Sequence, residues 1–270
     1  MYNAVTPITE RDLDFLVQAV ADRRNDPAKV KEIIRDKEDL IEIMLNDAKL
    51  FRKLLEKREE LLCISPYFLF NILLRQVRRD LEHASYMYEG YGRMRLPVFD
   101  APKVKKALED NAVISYLADL LSSFTRVQTY VLVYSIGSRV YRRTLSSMEL
   151  DDLLFLSSVV DERYRFEIHR RIGDLALFMA GMFPEHVDSS SWHIRRARRL
   201  GKWERGLEDY LEIGRHYYDL ASQHLYASEF GLSEILRFLS ENIALLRRAL
   251  NVLSDKYVGT SRNLWFGVDR

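Results

Sequence analysis

Residues 173–185 read Gly-Asp-Leu-Ala-Leu-Phe-Met-Ala-Gly-Met-Phe-Pro-Glu, apolar on nearly every side of a helix, with one acid inside it. A helix without a polar face has to be buried. Gly173, Ala176 and Ala180 fall on one face, where a neighbouring backbone can come close, and Pro184 marks the stop. Asp174 is the odd member, because a buried carboxylate needs a hydrogen-bonded partner or a shifted pKa. An Arg, a His or a Tyr hydroxyl would serve. Either Asp174 belongs to a structural network, or it lines a pocket with Phe178, Tyr217 and Tyr218.

The rest of the chain extends the helical pattern. Only 11 Gly and 6 Pro interrupt 270 residues, and apolar residues recur at spacings of three and four. Thr9 caps a first helix with acids in its first turn, and Asp26-Pro27 starts a second. Ser65-Pro66 opens a core helix that is apolar all round at first, charged later, and expected to run to about Tyr88 before Gly90-Tyr91-Gly92. Leu96 to Pro102 then reads as a connector. Further helices are expected over 111–124, 147–160, 163–183, 202–226 and 234–256. Residues 127–145 are rich in Val, Tyr and Thr around Ser135-Ile136-Gly137-Ser138, which fits either a short β-hairpin or a loop with helical turns. The expectation is an all-α multi-helix bundle. Residues 1–96 form a small N-terminal helical subdomain leading into the core helix 65–88, and 97–270 form the main bundle, in one continuous domain.

Composition narrows the function classes. With 41 basic and 40 acidic residues the net charge is +1, so no global field draws the molecule to nucleic acid or an anionic membrane. The one cysteine, Cys63, sits in an apolar run and reads as a buried thiol; no internal disulfide can form. The first residues lack a basic start followed by an apolar run, so no secretory leader is expected. The longest apolar-rich stretch, between Glu60 and Arg75, is too short to span a bilayer. The reading is cytoplasmic. Abundant Lys, Arg and Glu beside sparse Asn and Gln hint at a thermophilic source.

The segments "GDLALFMAGMFPE" and "DYLEIGRHYYDLA", within 167–225, resemble a pattern found in bacterial helical proteins of unassigned activity. The resemblance implies no cofactor and no catalytic residue. Gly214 between aromatic residues matches the pattern, whereas His216 is not required by it.

Candidate chemistry is sparse. A di-iron carboxylate bundle needs Glu-x-x-His pairs, and none is present. Asp80 and His83 make one Asp-x-x-His on a charged helix face, expected to be solvated. There is no His-Glu-x-x-His, Cys pair, P-loop or nucleophile elbow. No metal and no cofactor are expected. Glu212 and His216 lie one turn apart, with Asp219 continuing the face; they read as a surface pair, or as an acid–base pair or half of a metal site, and both are candidates for the pocket near Asp174. Arg195, Arg196, Arg198 and Arg199, with Lys202, cluster between Trp192 and Trp203, and Arg139, Arg142 and Arg143 group beside Tyr141. Arginine with flanking rings suits phosphate and base contacts. Glu204, Glu208 and Asp209 follow the first cluster at once, and no nucleic-acid-binding motif is present, which argues against that partner. The leading reading is a non-enzymatic helical interaction or regulatory protein that self-associates or binds a protein. A small-molecule site near Asp174 and accessory nucleic-acid binding through Arg195 to Arg199 are the alternatives.

Overall fold

The computed structural model describes residues 8–21, 26–35, 37–56, 64–91, 94–126, 129–136, 139–187, 205–259 and 266. Helices dominate, and the strands among the described residues pair as two antiparallel hairpins.

The N-terminal arm is built of α1 (Glu10–Val20), α2 (Pro27–Arg35), α3 (Glu38–Leu45) and α4 (Ala48–Glu56). Thr9 and Asp12 form a capping box on α1, each side chain satisfying a backbone N–H of the other. Asp12 is fully buried because it does more than cap. It also accepts from the Ser65 backbone N–H at 2.7 Å and the Ser65 hydroxyl at 2.8 Å. Ser65 in turn caps α5 (Pro66–Asp80) through the Phe68 N–H. One carboxylate thus fixes two helix starts, and Phe15 meets Phe68 edge-on beside it.

α5 is buried on all sides in its first half, as its apolar pattern predicts. Arg75, fully buried, joins arm to body. Its Nε donates to Asn71 Oδ1 at 2.8 Å, Nη1 to Asn46 and Asn111 at 2.7 and 2.9 Å, and Nη2 to Glu42 at 2.7 Å. A buried guanidinium keeps its charge only with acceptors arranged around it, and these come from α3 and its end, α5, and the start of α7 (Asn111–Ser123).

The core helix ends at Asp80, not at Tyr88. Of the residues predicted to continue it, Met87 and Tyr88 open β1 (Met87–Tyr91), paired with β2 (Met94–Val98), which takes in the first residues of the expected connector, in register Met87↔Val98 and Glu89↔Leu96. Asp80 is not solvated either: it accepts from Gln76, Lys256 and Tyr257. His83 is exposed. α6 (Ala101–Ala107) and α7 follow. The stretch near 127–145 is a hairpin, β3 (Thr129–Ile136) with β4 (Arg139–Ser146), held at its foot by buried Leu145 and by the Ser146 N–H donating to Asp152.

The body is completed by α8 (Leu150–Val159), α9 (Glu162–Met182), α10 (Pro184–Val187), α11 (Leu207–Ser222), α12 (Leu225–Glu229) and α13 (Ser233–Leu253). α9 is the central helix, with α11 packed along it and α13 against both. Small residues set that spacing. A Cβ on Gly173 would lie 2.7 Å from the Tyr218 ring, and one on Gly214 would overlap Ile243 and sit 3.2 Å from Ala176 Cβ. α13 passes into a π-helical turn, Ser254–Val258, and near the C-terminus Phe266 is buried against Phe70, Phe178 and Phe183.

Candidate functional site

Asp174 sits where α7, α9 and α11 meet. It is buried and accepts the Tyr116 and Tyr218 hydroxyls, each at 2.8 Å, on the same oxygen, Oδ1. The two rings meet edge-on at 6.5 Å. Burial pushes the Asp174 carboxyl above its ordinary value, against the pull of Arg170, the two phenols and Arg171. Burial also drives the Tyr218 hydroxyl well up, and the neighbouring carboxylate adds to it. Tyr116 and Tyr218 are no more exposed than Asp174, at 2% and 0%. Chemically the trio can hold a proton and lock three helices. The sequence grouped Tyr218 with Asp174 only as a pocket neighbour, without naming it as the partner, and Tyr116 was not singled out.

The other predicted residues scatter. Tyr217, one step along the helix from Tyr218, is half-buried and turns to the rings of His169 and His216. His216 and Glu212 are both exposed. Glu212 lines a depression of about 340 Å³ with Asp151, Arg205, Asp209 and Ile213, in which Arg205 pairs with Asp151 at 2.5 Å. Asp209 also caps α11, accepting from the Gly206 N–H. Asp219 accepts from Gln223 one turn on.

Sequence reasoning passed over His169. Its Nε2 lies 3.0 Å from the Ser157 hydroxyl, joining α9 to α8. Burial, with Arg165 and the histidines at 224 and 216 adding repulsion, lowers its pKa to about 4, so it is neutral near pH 7. It also passed over Glu89. This carboxylate of β1 is 3% exposed, pairs with the equally buried Arg247, and reaches Arg248 at 3.4 Å; Arg248 continues to Asp100 at 2.6 Å. With the Asn251 amide turned to match, its oxygen accepts from Arg247 at 2.9 Å. Burial, then Arg248, brings the Arg247 pKa down to about 10. Strong charge on a helical face is an ordinary sequence feature, and nothing local marks these two groups as buried.

The cluster Arg195, Arg196, Arg198 and Arg199 lies outside the described residues. Arg142 is exposed on β4. Among the described residues no three His, Cys, Asp or Glu side chains are placed to hold a metal ion, and no helix is long and apolar enough to cross a membrane. The chain matches no family model, no curated protein and no solved structure. The functional reading therefore comes from its own residues.

Proposed function

We propose that this chain is a non-enzymatic interaction protein that self-associates through an aromatic patch on the rim of its helical body. One observation carries the reading: Tyr86, Tyr88 and Phe99 are 46%, 54% and 73% exposed and touch one another, with centroids 5.5 and 6.1 Å apart. Contiguous exposed aromatics mark contact surfaces, and rings are enriched where interfaces gain their energy. The patch is rigidly mounted, since β1 is tied to α13 through Glu89. The net charge of +1 offers little repulsion between copies. The buried ionisable groups support the same reading, because Asp174, Arg75 and Glu89 are each engaged in holding elements together.

Sedimentation velocity over a concentration series tests it. Wild type should show a monomer–dimer equilibrium, and Tyr88→Ser with Phe99→Ser should be monomeric with an unchanged Tm. A wild-type chain that stays monomeric at high concentration refutes self-association. The reading also takes 1–96 and 97–270 as one continuous domain, supported by the Arg75–Asn111, Arg247–Glu89 and Lys256–Asp80 bonds, and expects a single unfolding transition by all probes.

A small-molecule site is the second reading. It is favoured by the depression beside Glu212, where carboxylates around one guanidinium suit an amine-bearing ligand. A thermal-shift screen of polyamines and amino acids against wild type and Glu212→Gln checks it; no shift in either removes it.

A further inference from the structure

We infer that four rings gathered at α12 form a binding site for a methylated, quaternary ammonium group. This goes beyond the association reading and uses other residues than the patch around Tyr88 and the β3–β4 ribbon.

The site starts from a short stretch rich in rings: residues 224–230 read His-Leu-Tyr-Ala-Ser-Glu-Phe. His224 caps α12, its Nδ1 accepting from the Tyr226 N–H at 3.2 Å. Its Nε2 donates to the Glu162 carbonyl, also at 3.2 Å. An N–H only donates and a carbonyl only accepts, so this imidazole is neutral, with its proton on Nε2. The two bonds hold the ring at the start of α9, one turn before Phe166.

The ring centroids close a circuit. Phe166 lies 5.7 Å from His224, His224 5.3 Å from Tyr226, Tyr226 6.1 Å from Phe230, and Phe230 6.0 Å from Phe166. Successive planes are tilted by 35°, 35°, 39° and 31°, so no ring stands edge-on to its neighbour. Phe166 is buried and backs the group, His224 is half-buried, and Tyr226 and Phe230 are 36% and 58% exposed. The face of an aromatic ring is negative and attracts a cation within about 6 Å of its centroid. With sides this short, one cation over the circuit is in reach of several rings together.

Charge points the same way. From His216 to Leu236 the chain has no Lys or Arg, and it carries Asp219, Glu229 and Glu234. Glu229 precedes Phe230, and Glu162 supplies the carbonyl that holds His224; both are exposed, and among the described residues neither forms an ion pair. The arginines flanking Phe166 on α9 are engaged elsewhere. Arg163 pairs with Asp161 and lies over Tyr164, Arg165 donates to the Val160 carbonyl, and Arg170 pairs with Glu167.

The acceptors decide which cation fits. Both nitrogens of His224 are spent on backbone and phenylalanine has none, so of the four side chains only the Tyr226 hydroxyl is left to accept. A lysine ammonium or a guanidinium would bring N–H donors that lose water without replacement. A quaternary ammonium brings none. A free quaternary amine and a trimethylated lysine side chain share this chemistry.

The experiment is isothermal titration calorimetry of the full chain. The probes are tetramethylammonium, choline, dimethylbutanol as the neutral carbon isostere of choline, and a lysine peptide in trimethylated and unmethylated forms. Saturable binding of the methylated cations is expected, with the isostere about tenfold weaker, the scale of a desolvated cation–π contact. Phe230→Leu keeps the apolar bulk and should weaken choline about tenfold at unchanged Tm. Tyr226→Phe and the Tyr88→Ser, Phe99→Ser variant should bind as wild type does. A trimethylated peptide tighter than choline assigns the group to a protein partner; choline as tight or tighter assigns it to a free amine. No saturable binding of any methylated probe would overturn the proposal. So would an isostere as tight as choline, an unmethylated peptide as tight as the trimethylated one, or binding undiminished in Phe230→Leu.

Discussion

The two hairpins carry charge in opposite directions. β1–β2 turns Glu89 inward, where Arg247 and Arg248 of the last long helix hold it; β3–β4 displays Arg142 outward and is fastened at its foot by Leu145 and Asp152. The first hairpin is thereby part of the helical body, and its exposed rings sit on a fixed platform. The second carries no such buried ion pair among the described residues. A two-stranded element can be absorbed or displayed, and a single buried ion pair decides which.

Breaking the inward pair gives the largest expected effect. Glu89→Ala would leave Arg247 buried without its carboxylate and cost about 3–5 kcal/mol. Urea denaturation measures it. A loss below about 1 kcal/mol, the scale of a surface pair, would mean that the first hairpin is held no more tightly than the second.

Displacing α13 is a gentler way to loosen the same clamp. Gly214→Leu drives into Ile243, one turn before Arg247 on α13. Overpacking of this kind costs about 1–3 kcal/mol. Hydrogen exchange should then quicken in β1–β2 while β3–β4 keeps its wild-type rate. Equal change in both hairpins would dissolve the contrast.

Acid should act on the other side of the molecule. His169 is neutral in the fold, with its pKa lowered from 6.5 to about 4, so the unfolded chain takes up a proton that the folded chain refuses. Stability is therefore full above about pH 6.5 and declines as pH falls toward 4. The affected joint is the Ser157–His169 contact beneath α8, the helix that carries Asp152 at the ribbon's foot. Exchange in β3–β4 should quicken over that window before exchange in β1–β2 does, and His169→Gln should flatten the pH profile.

The smallest effect is expected at the ribbon surface. Val133 is 62% exposed, and Val133→Thr should change stability by no more than about 0.5 kcal/mol. A larger loss would place Val133 against a partner within a self-associated species, which dilution would reveal.

What the sequence revealed divides along the same line. Helix starts were legible because a cap is a local device: Thr9 with Asp12, Asp26 before Pro27, Ser65 before Pro66. The burial of Asp174 was legible because the residues that follow it on its helix, 175–183, are all apolar. Its partners were only half so. Tyr116 and Tyr218 stand 58 and 44 positions away, and a helical period says which face is buried without saying what faces it. The first hairpin was invisible for the same reason. Residues 81–88 continue a helical charge pattern, and the group that commits the next strand to the body, Arg247, lies 158 positions beyond Glu89. The ribbon was visible as one of two options, since β-branched and aromatic residues around Gly137 signal a turn without naming its type.

Arg75 has a consequence for how the chain could be divided. A polypeptide severed between Glu56 and Ile64 would leave this guanidinium with Asn71 and Asn111 but without Glu42 and Asn46, and would strip Asp12 from Ser65. The larger fragment would carry a charge it cannot shed and cannot hydrate. The smaller would carry the acceptors that relieve it. Such halves should reassemble when mixed, with Arg75 as the lock and the arm as a ligand the protein carries for itself; gene fission at this point would turn an intramolecular contact into an affinity.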